Sequence, residues 1–327
     1  MTIEINLTDT TMDLDRFRDR QDLQQFYRGK GIDGLELMPC MGTEIPDIIP
    51  QEDVIGLHLK YFPCWLEFWR GNEKALAAEY DDRETWSRFY GGTTREAFLK
   101  PFQDQLDMAQ RIGAQYVVFH VSECTLEECL TYKPLHSHME VVEAAAEVIN
   151  TLLDGHDYDF WFLCENLWWS GLDLMDNRVT KALMDGIHYG KKGIMLDTGH
   201  LLHTNLELQT QDQGVTYIHQ VLDRMGDLSA YIKGMHLNQS LSSDYVKSVI
   251  ADPPALRGNY WDRISALYSH IAKIDFHEPF TAAGVAPLIR RIQPEFVTIE
   301  LITESRQQHE AYLMAQMKAL LENGGIR

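Results

Sequence analysis

The sequence has no apolar run of eighteen residues, no Cys-x-x-Cys pair and no basic cluster larger than two adjacent residues. The first absence excludes a membrane-spanning helix, which needs about twenty mainly apolar residues. The second leaves Cys40, Cys64, Cys124, Cys129 and Cys164, an odd count, to be read as reduced and mostly buried thiols rather than a zinc finger or a redox pair. The third bears on charge. Lys and Arg number 29 against 49 Asp and Glu, and the net charge of −20 is spread along the chain. Such a surface repels a polyanion whose binding is led by phosphate neutralisation, so duplex DNA is a poor candidate partner. Met1-Thr2-Ile3-Glu4-Ile5-Asn6 lacks the basic stretch followed by an apolar one that marks a secretory signal, and the expected location is cytoplasmic. No linker, low-complexity tract or second core pattern interrupts the chain, so residues 1–327 are expected to form one domain.

Hydrophobic residues make up 45 % of the chain, enough for a sizeable core. Short apolar runs alternate with longer amphipathic segments from start to finish, the pattern of parallel strands with covering helices. Eight strands are predicted: Ile3 to Leu7, Gly34 to Met38, Val54 to Lys60, Tyr116 to Val121, Asp159 to Leu167, Gly193 to Asp197, Tyr231 to Leu237 and Phe296 to Ile302. The expected fold is α/β, a (β/α)8 TIM barrel with two long insertions after strands 3 and 7, from Tyr61 to about Thr94 and from Asn238 to Ile274. The first insertion is rich in rings, among them Trp65, Trp69, Trp86 and Phe89. They form either a lid or the packing that fixes the insert to the barrel rim. A closing helix from Glu304 to Glu322 is expected to end at Gly324-Gly325.

One stretch organises the rest. Gly193 to His200 begins as a core strand and breaks at Asp197 into a polar, glycine-containing turn, which leaves a carboxylate and an imidazole at one strand's C-terminal end. A buried carboxylate is costly unless a cation or hydrogen-bond donors compensate it. The spacing therefore fits either metal ligands or an Asp capping the next helix beside a surface His. Other strands end the same way: His58, His120, Glu165, His236 and Glu300 close strands 3, 4, 5, 7 and 8. Six consecutive strands thus deliver a ligand-type residue to the C-terminal rim, where such barrels carry their active sites. Any one of these histidines reads as a core residue; six strands in succession do not. His200 and the Asp275-x-His277 pair bring the set to five imidazoles and four carboxylates. Four carboxylates at one mouth repel one another unless divalent cations lie between them, so more than one ion is expected. Mixed His and carboxylate donors suit zinc, manganese, iron or cobalt better than magnesium or calcium. Glu36, ending strand 2, faces either the mouth or solvent, and Asn238 either orients a ligand or caps the segment after it.

The ordered set His58, His120, Glu165, Asp197-Thr-Gly-His200, His236-Leu-Asn, Asp275-x-His277, Glu300 resembles the xylose-isomerase-like barrel superfamily. The likeness is to its endonuclease IV branch (AP endonuclease family 2) in particular, and it spans strands 3 to 8. The resemblance implies one ion on His58, His120 and Glu165, with Glu165 bridging to a second ion on Asp197, His236 and Glu300, and a third on His200, Asp275 and His277. Sugar isomerases and epimerases of the superfamily look like a subset of this pattern. They imply a single ion on Glu165, Asp197, His236 and Glu300, with Glu165 and Glu300 as an acid-base pair and His200 on a substrate hydroxyl. The Arg that such epimerases often carry beyond the seventh-strand His is missing from His236-Leu-Asn-Gln-Ser-Leu-Ser. Both insertions and the surface charge depart from the endonuclease pattern.

The leading expectation is a metal-dependent hydrolase with two or three ions per chain, zinc first among them, acting on a small phosphoester or related anionic substrate. The alternative is an isomerase or epimerase of a sugar or sugar phosphate. Glu165, Glu300 and His200 are the expected catalytic residues in the set. A non-catalytic metal-binding barrel would instead need a closed ligand shell. No membrane partner is expected, and the aromatic inserts are compatible with either a substrate pocket or a homo-oligomer interface.

Overall fold

The structure is a computed structural model and describes residues 1–322; Gly324-Gly325, the expected end of the last helix, lies outside the described residues. All eight strands form: β1 (Thr2–Thr8), β2 (Gly34–Met38), β3 (Val54–His58), β4 (Tyr116–His120), β5 (Trp161–Glu165), β6 (Lys192–Asp197), β7 (Ile232–Leu237) and β8 (Phe296–Ile299). Each pairs in parallel with its neighbours in the chain, and β8 returns to β1, so the sheet closes into a barrel. Some strands stop earlier than their apolar runs suggest. β5 ends at Glu165 rather than Leu167, and β8 at Ile299 rather than Ile302, because the backbone N–H groups of Leu167, Leu301 and Ile302 bond Leu172 O, Asn6 Oδ1 and His277 O instead of a neighbouring barrel strand.

Alternation along the strands separates two cores. Ile3, Ile5 and Leu7 of β1, Val117 and Phe119 of β4 and Ile194 and Leu196 of β6 face outward into the large core shared with the helices. Tyr116, Val118, Leu163, Met195 and Phe296 face inward and plug the barrel. The fit inside is close: a Cβ at Gly56 would lie 2.0 Å from the Tyr116 ring, so glycine there makes room for it. Among the covering helices are Arg95–Ile112, His138–Leu153, Asn177–Gly186, Gln211–Met225 and Arg306–Glu322. Capping boxes start two of them, Ser137 with Glu140 and Thr210 with Gln213. The His138–Leu153 helix buries Val141, Val142, Ala145, Val148, Ile149 and Leu152 along one stripe.

The two excursions are helical. The first holds Leu66–Trp69, Glu73–Tyr80 and Arg83–Tyr90, and the second Ser243–Ala251 and Tyr260–Ile274. Trp65, Phe68, Trp69, Trp86 and Tyr90 are buried. Phe68 packs on Tyr90 at 4.1 Å between ring centroids and on Phe98 of the following helix at 5.8 Å. These rings fix the first excursion to the barrel. The second docks on the first through Tyr80 and Tyr260, 4.5 Å apart, and through Arg263 Nη1 to Asp81 Oδ1 at 2.8 Å. Among the described residues no helix is long and apolar enough to cross a membrane.

Candidate metal centre

Strand register aligns the rim residues. His120 pairs with Glu165 across β4 and β5, Asp197 with His236 across β6 and β7, and Thr298, two residues before Glu300, with His236. All point into the barrel, and the loop after the second excursion adds Asp275 and His277. The nine expected side chains come together in one cluster, seven of them buried and His120 and Asp275 partly exposed. Donor atoms lie within 4.8 Å of one another in three sets: His58, Glu165 and His236; Glu165, Asp197, His236 and Glu300; and Asp197, His200 and His277.

Glu165 is at the middle and fully buried. Its Oε2 lies 2.7 Å from His120 Nε2 and 3.2 Å from His58 Nε2. Its Oε1 lies 3.1 Å from His236 Nδ1 and 3.3 Å from His200 Nδ1. Asp275 gathers the remaining imidazoles, with Oδ2 2.8 Å from His277 Nε2 and 3.1 Å from His200 Nε2. Asp197 does two things at once. Its Oδ1 accepts from the His200 backbone N–H at 2.6 Å and caps the short helix Thr198–Leu202, while Oδ2 accepts from Asn238 Nδ2 at 2.7 Å beside the cluster. Gly199 makes this possible, since a Cβ there would stand 1.9 Å from Asn238 Oδ1.

Three imidazoles are held by an acceptor on their outer nitrogen. His58 Nδ1 donates to Leu59 O, His200 Nδ1 to Asn166 O and His236 Nε2 to Glu36 Oε2, each at 3.0 Å. In His58 and His236 the other ring nitrogen then faces Glu165, the orientation that metal-ligating histidines take, whereas His200 turns Nε2 to Asp275 and keeps Nδ1 between Asn166 O and Glu165 Oε1. A bare nitrogen about 3 Å from a carboxylate oxygen is repulsive unless a proton or a cation lies between them. The titration of the cluster carries the same demand for positive charge. Burial opposes protonation of His200 and His236, yet Asp197 and Asp275 around the first, and Glu300 and Glu36 around the second, lift both well above the usual imidazole range. His277 is pushed up to about 9, burial being outweighed by Asp275 and Glu300. Burial raises Glu300 to about 7 against the pull of His236 and His277. Desolvation opposes the charge on fully buried Glu165 and on partly buried Asp275, but the imidazoles hold both well below the carboxylate range. His120 is the exception: burial lowers it, and its Nδ1 is buried without a partner. These N and O donors suit zinc, manganese, iron or cobalt.

Other residues serve the cluster without announcing themselves in sequence. His203 Nε2 lies 3.4 Å from Asp275 Oδ1; the one available signal was its position a helical turn after His200. Asn166 holds the Asp197 backbone from both sides, accepting from its N–H at 2.9 Å and donating to its carbonyl at 3.1 Å. Ser240 Oγ donates to Asp275 Oδ1 at 3.3 Å and accepts from the backbone N–H groups of Phe276 and His277. Tyr61 sets its ring 4.5 Å from that of His120. Glu36 faces inward, and Asn238 binds a carboxylate of the cluster rather than capping a helix.

A closed parallel barrel whose histidines and carboxylates gather at the C-terminal ends of its strands belongs to the TIM-barrel class that keeps its chemistry at that mouth. The chain is a member of the xylose isomerase-like TIM barrel family, whose family model matches residues 88–320. Endonuclease IV from Thermus thermophilus superposes with a TM-score of 0.54 at 14 % identity, covering 99 % of this chain and 100 % of that one. A D-tagatose 3-epimerase-like protein gives 0.55 at 12 % identity, covering 98 % and 97 %. Mannonate dehydratase from Streptococcus suis serotype 2 gives 0.53 at 9 % identity, covering 99 % and 93 %. Proteins named for three different activities thus share this fold, and identities this low carry the fold alone. A search of curated proteins finds no match to the sequence.

Proposed function

We propose that the protein is a metal-dependent hydrolase that holds two or three divalent cations at the barrel mouth and acts on a small phosphoester or related anion. Glu165 carries the reading. An acid-base carboxylate needs an oxygen free to face a substrate atom. Glu165 has none: it is fully buried, with one oxygen against His58 and His120 and the other against His236 and His200. Those are the surroundings of a bridging ligand. His58, His120 and Glu165 would hold one ion, Asp197, His236, Glu300 and Glu165 a second, and His200, Asp275 and His277 a third. Bound cations supply Lewis-acid activation of water and neutralisation of an anionic substrate oxygen.

The chain's own groups do the rest. Leu59, Asn166 and Glu36 fix the tautomers of His58, His200 and His236. Asn238 and the His200 backbone hold Asp197 in place. Glu300, raised to about 7 by burial while no cation is bound, would give up its proton on taking its place as a ligand. One observation favours the isomerase or epimerase reading as second: Glu165, Asp197, His236 and Glu300 by themselves make a compact four-donor set for a single ion. The two readings separate in a count of bound ions by anomalous diffraction, paired with phosphoester turnover. Two or three ions per chain, with turnover lost in His58→Ala, support hydrolysis. One ion on the four-donor set, with near-full activity in His58→Ala, overturns it.

A further inference from the structure

Beyond the imidazoles the mouth continues into a cavity of about 190 Å³. Its inner end is polar, formed by His120, His200 and Asp275 of the cluster. Its walls are not. The helix Tyr260–Ile274 presents Ile264, Leu267 and Ile271 at steps of three and four residues, which puts them on one face, and the segment after β5 adds Leu167 and Trp168. Ile264, Leu267 and Leu167 are buried. No lysine, arginine, asparagine, glutamine, serine or threonine is among the described residues that line the cavity.

This composition selects against a bare sugar. A sugar carries a hydroxyl on nearly every carbon, and a hydroxyl taken out of water without a partner is penalised. Besides the cluster residues, the described wall offers at most two indoles, Trp168 and Trp169, and two phenols, Tyr61 and Tyr268, for hydrogen bonds, set among Leu167, Ile264, Leu267 and Ile271. The space instead suits a ring: an apolar cavity of roughly 150 Å³ lined by Leu, Ile and Phe takes up benzene.

We propose that the substrate is amphiphilic, with an oxyanion head directed to the His120–His200–Asp275 end and one compact apolar group, a single ring or a branched alkyl, against Ile264, Leu267, Ile271 and Trp168. The inference rests on the reading of the cluster as a metal centre, which supplies affinity for the head. The apolar wall sets the choice among substrates that share that head.

Calorimetric titration of the zinc-loaded protein with methylphosphonate, phenylphosphonate and ribose 5-phosphate tests it. Phenylphosphonate is expected to bind at least about tenfold more tightly than methylphosphonate, because only the phenyl group buries apolar surface in the pocket. Ribose 5-phosphate is expected to bind no more tightly than methylphosphonate. Ile271→Trp, at a half-buried position, fills the cavity and is expected to bring the two phosphonates within about twofold of each other. Leu267→Asn is expected to shrink the same ratio by making the wall polar, should the first variant fold poorly. Equal affinity for the two phosphonates in the unaltered protein overturns the proposal while leaving the hydrolase reading intact, as does tightest binding of ribose 5-phosphate. Failure of the zinc-loaded protein to bind any of the three removes the metal-centre reading and this proposal with it.

Discussion

Replacing Glu36 by glutamine tests how the barrel interior governs the cluster. Glu36 is 1 % exposed, and its Oε2 is met by His236 Nε2 at 3.0 Å, the Tyr116 hydroxyl at 2.7 Å and the Thr298 hydroxyl at 3.1 Å. Burial favours the neutral acid, but His236 and His58 nearby hold its ionisation below the usual carboxylate range. The anion therefore accepts the His236 proton and leaves Nδ1 facing Glu165 and Glu300. Glutamine keeps the shape and one acceptor oxygen but loses the charge. A hydrogen bond to a charged partner is worth about 1.5–3 kcal/mol against about 1 kcal/mol for a neutral one. The difference, about 0.5–2 kcal/mol, corresponds to roughly two- to thirtyfold in affinity. Loss of an outer partner of a metal-ligating histidine costs about 10–100-fold in general, which overlaps the upper part of this range. The assay is competition for zinc between the protein and a chelator of known affinity, with a thermal melt to show that the variant folds. A folded Glu36→Gln protein that binds zinc as tightly as the parent refutes the argument.

Chelation should also lower the melting temperature. A ligand at a thousandfold excess over its Kd favours the folded state by about 4 kcal/mol, and each kcal/mol moves the midpoint by roughly 2 °C in a chain of this size. A fall of about 8 °C on adding a chelator is expected in calorimetry, and an unmoved midpoint counts against bound cations. In the chelated protein the pH dependence has a defined sign. His277 at about 9 and Glu300 at about 7 both lie above their ordinary values, so each contributes stability that is full below its unfolded pKa and is lost as pH rises through its folded one. The chelated midpoint should therefore fall between about pH 5 and pH 9, while zinc affinity rises over the same range as protons leave the ligands. A chelated midpoint that climbs over that range contradicts the assignment. Gly199→Ala should cost about 1–3 kcal/mol, since its Cβ would stand 1.9 Å from Asn238 Oδ1, and should weaken zinc binding by displacing Asn238 from Asp197. Unchanged melting and zinc affinity in that variant would exclude a tight turn there.

The strands were legible because burial on the outer face of a parallel sheet leaves continuous apolar runs, as in Ile194-Met195-Leu196. Their ends were less so. Ile299 to Ile302 reads as strand in composition, but after Glu300 the backbone N–H groups leave the sheet, Leu301 for the Asn6 side chain and Ile302 for His277 O. Six of the nine cluster residues, those that close the runs of strands 3 to 8, were legible for a related reason: parallel register carries residues that close successive runs to the same height on the rim. Two alternatives left open by the sequence turned out not to exclude each other. Asp197 both caps a helix and faces the cluster, because its two oxygens serve separate partners. The rings of the first excursion could not be sorted into lid or packing from composition, since both uses need aromatic area. Burial assigns Trp65, Phe68 and Trp86 to packing and leaves Tyr61 against His120.

What the sequence concealed most completely lies beneath the rim. Glu4, Glu36, Tyr116 and Thr298 occupy inward positions on four strands, where a barrel ordinarily stacks apolar layers. The Tyr116 hydroxyl is 2.6 Å from Glu4 Oε2 and 2.7 Å from Glu36 Oε2, and one phenol proton serves only one of them. Burial pushes Glu4 up to about 7, whereas Glu36 is held low beside His236. The assignment that satisfies every group has protonated Glu4 donating to the phenol and the phenol donating on to the Glu36 anion. Two carboxylates that would be costly alone are thereby accommodated by one shared hydroxyl. The charge this keeps on Glu36 is the charge that orients His236. The electrostatics of the mouth are thus set one layer deeper than its ligands, at Glu4, Tyr116 and Thr298 as well as at Glu36, the one of the four that its place at a strand end singled out.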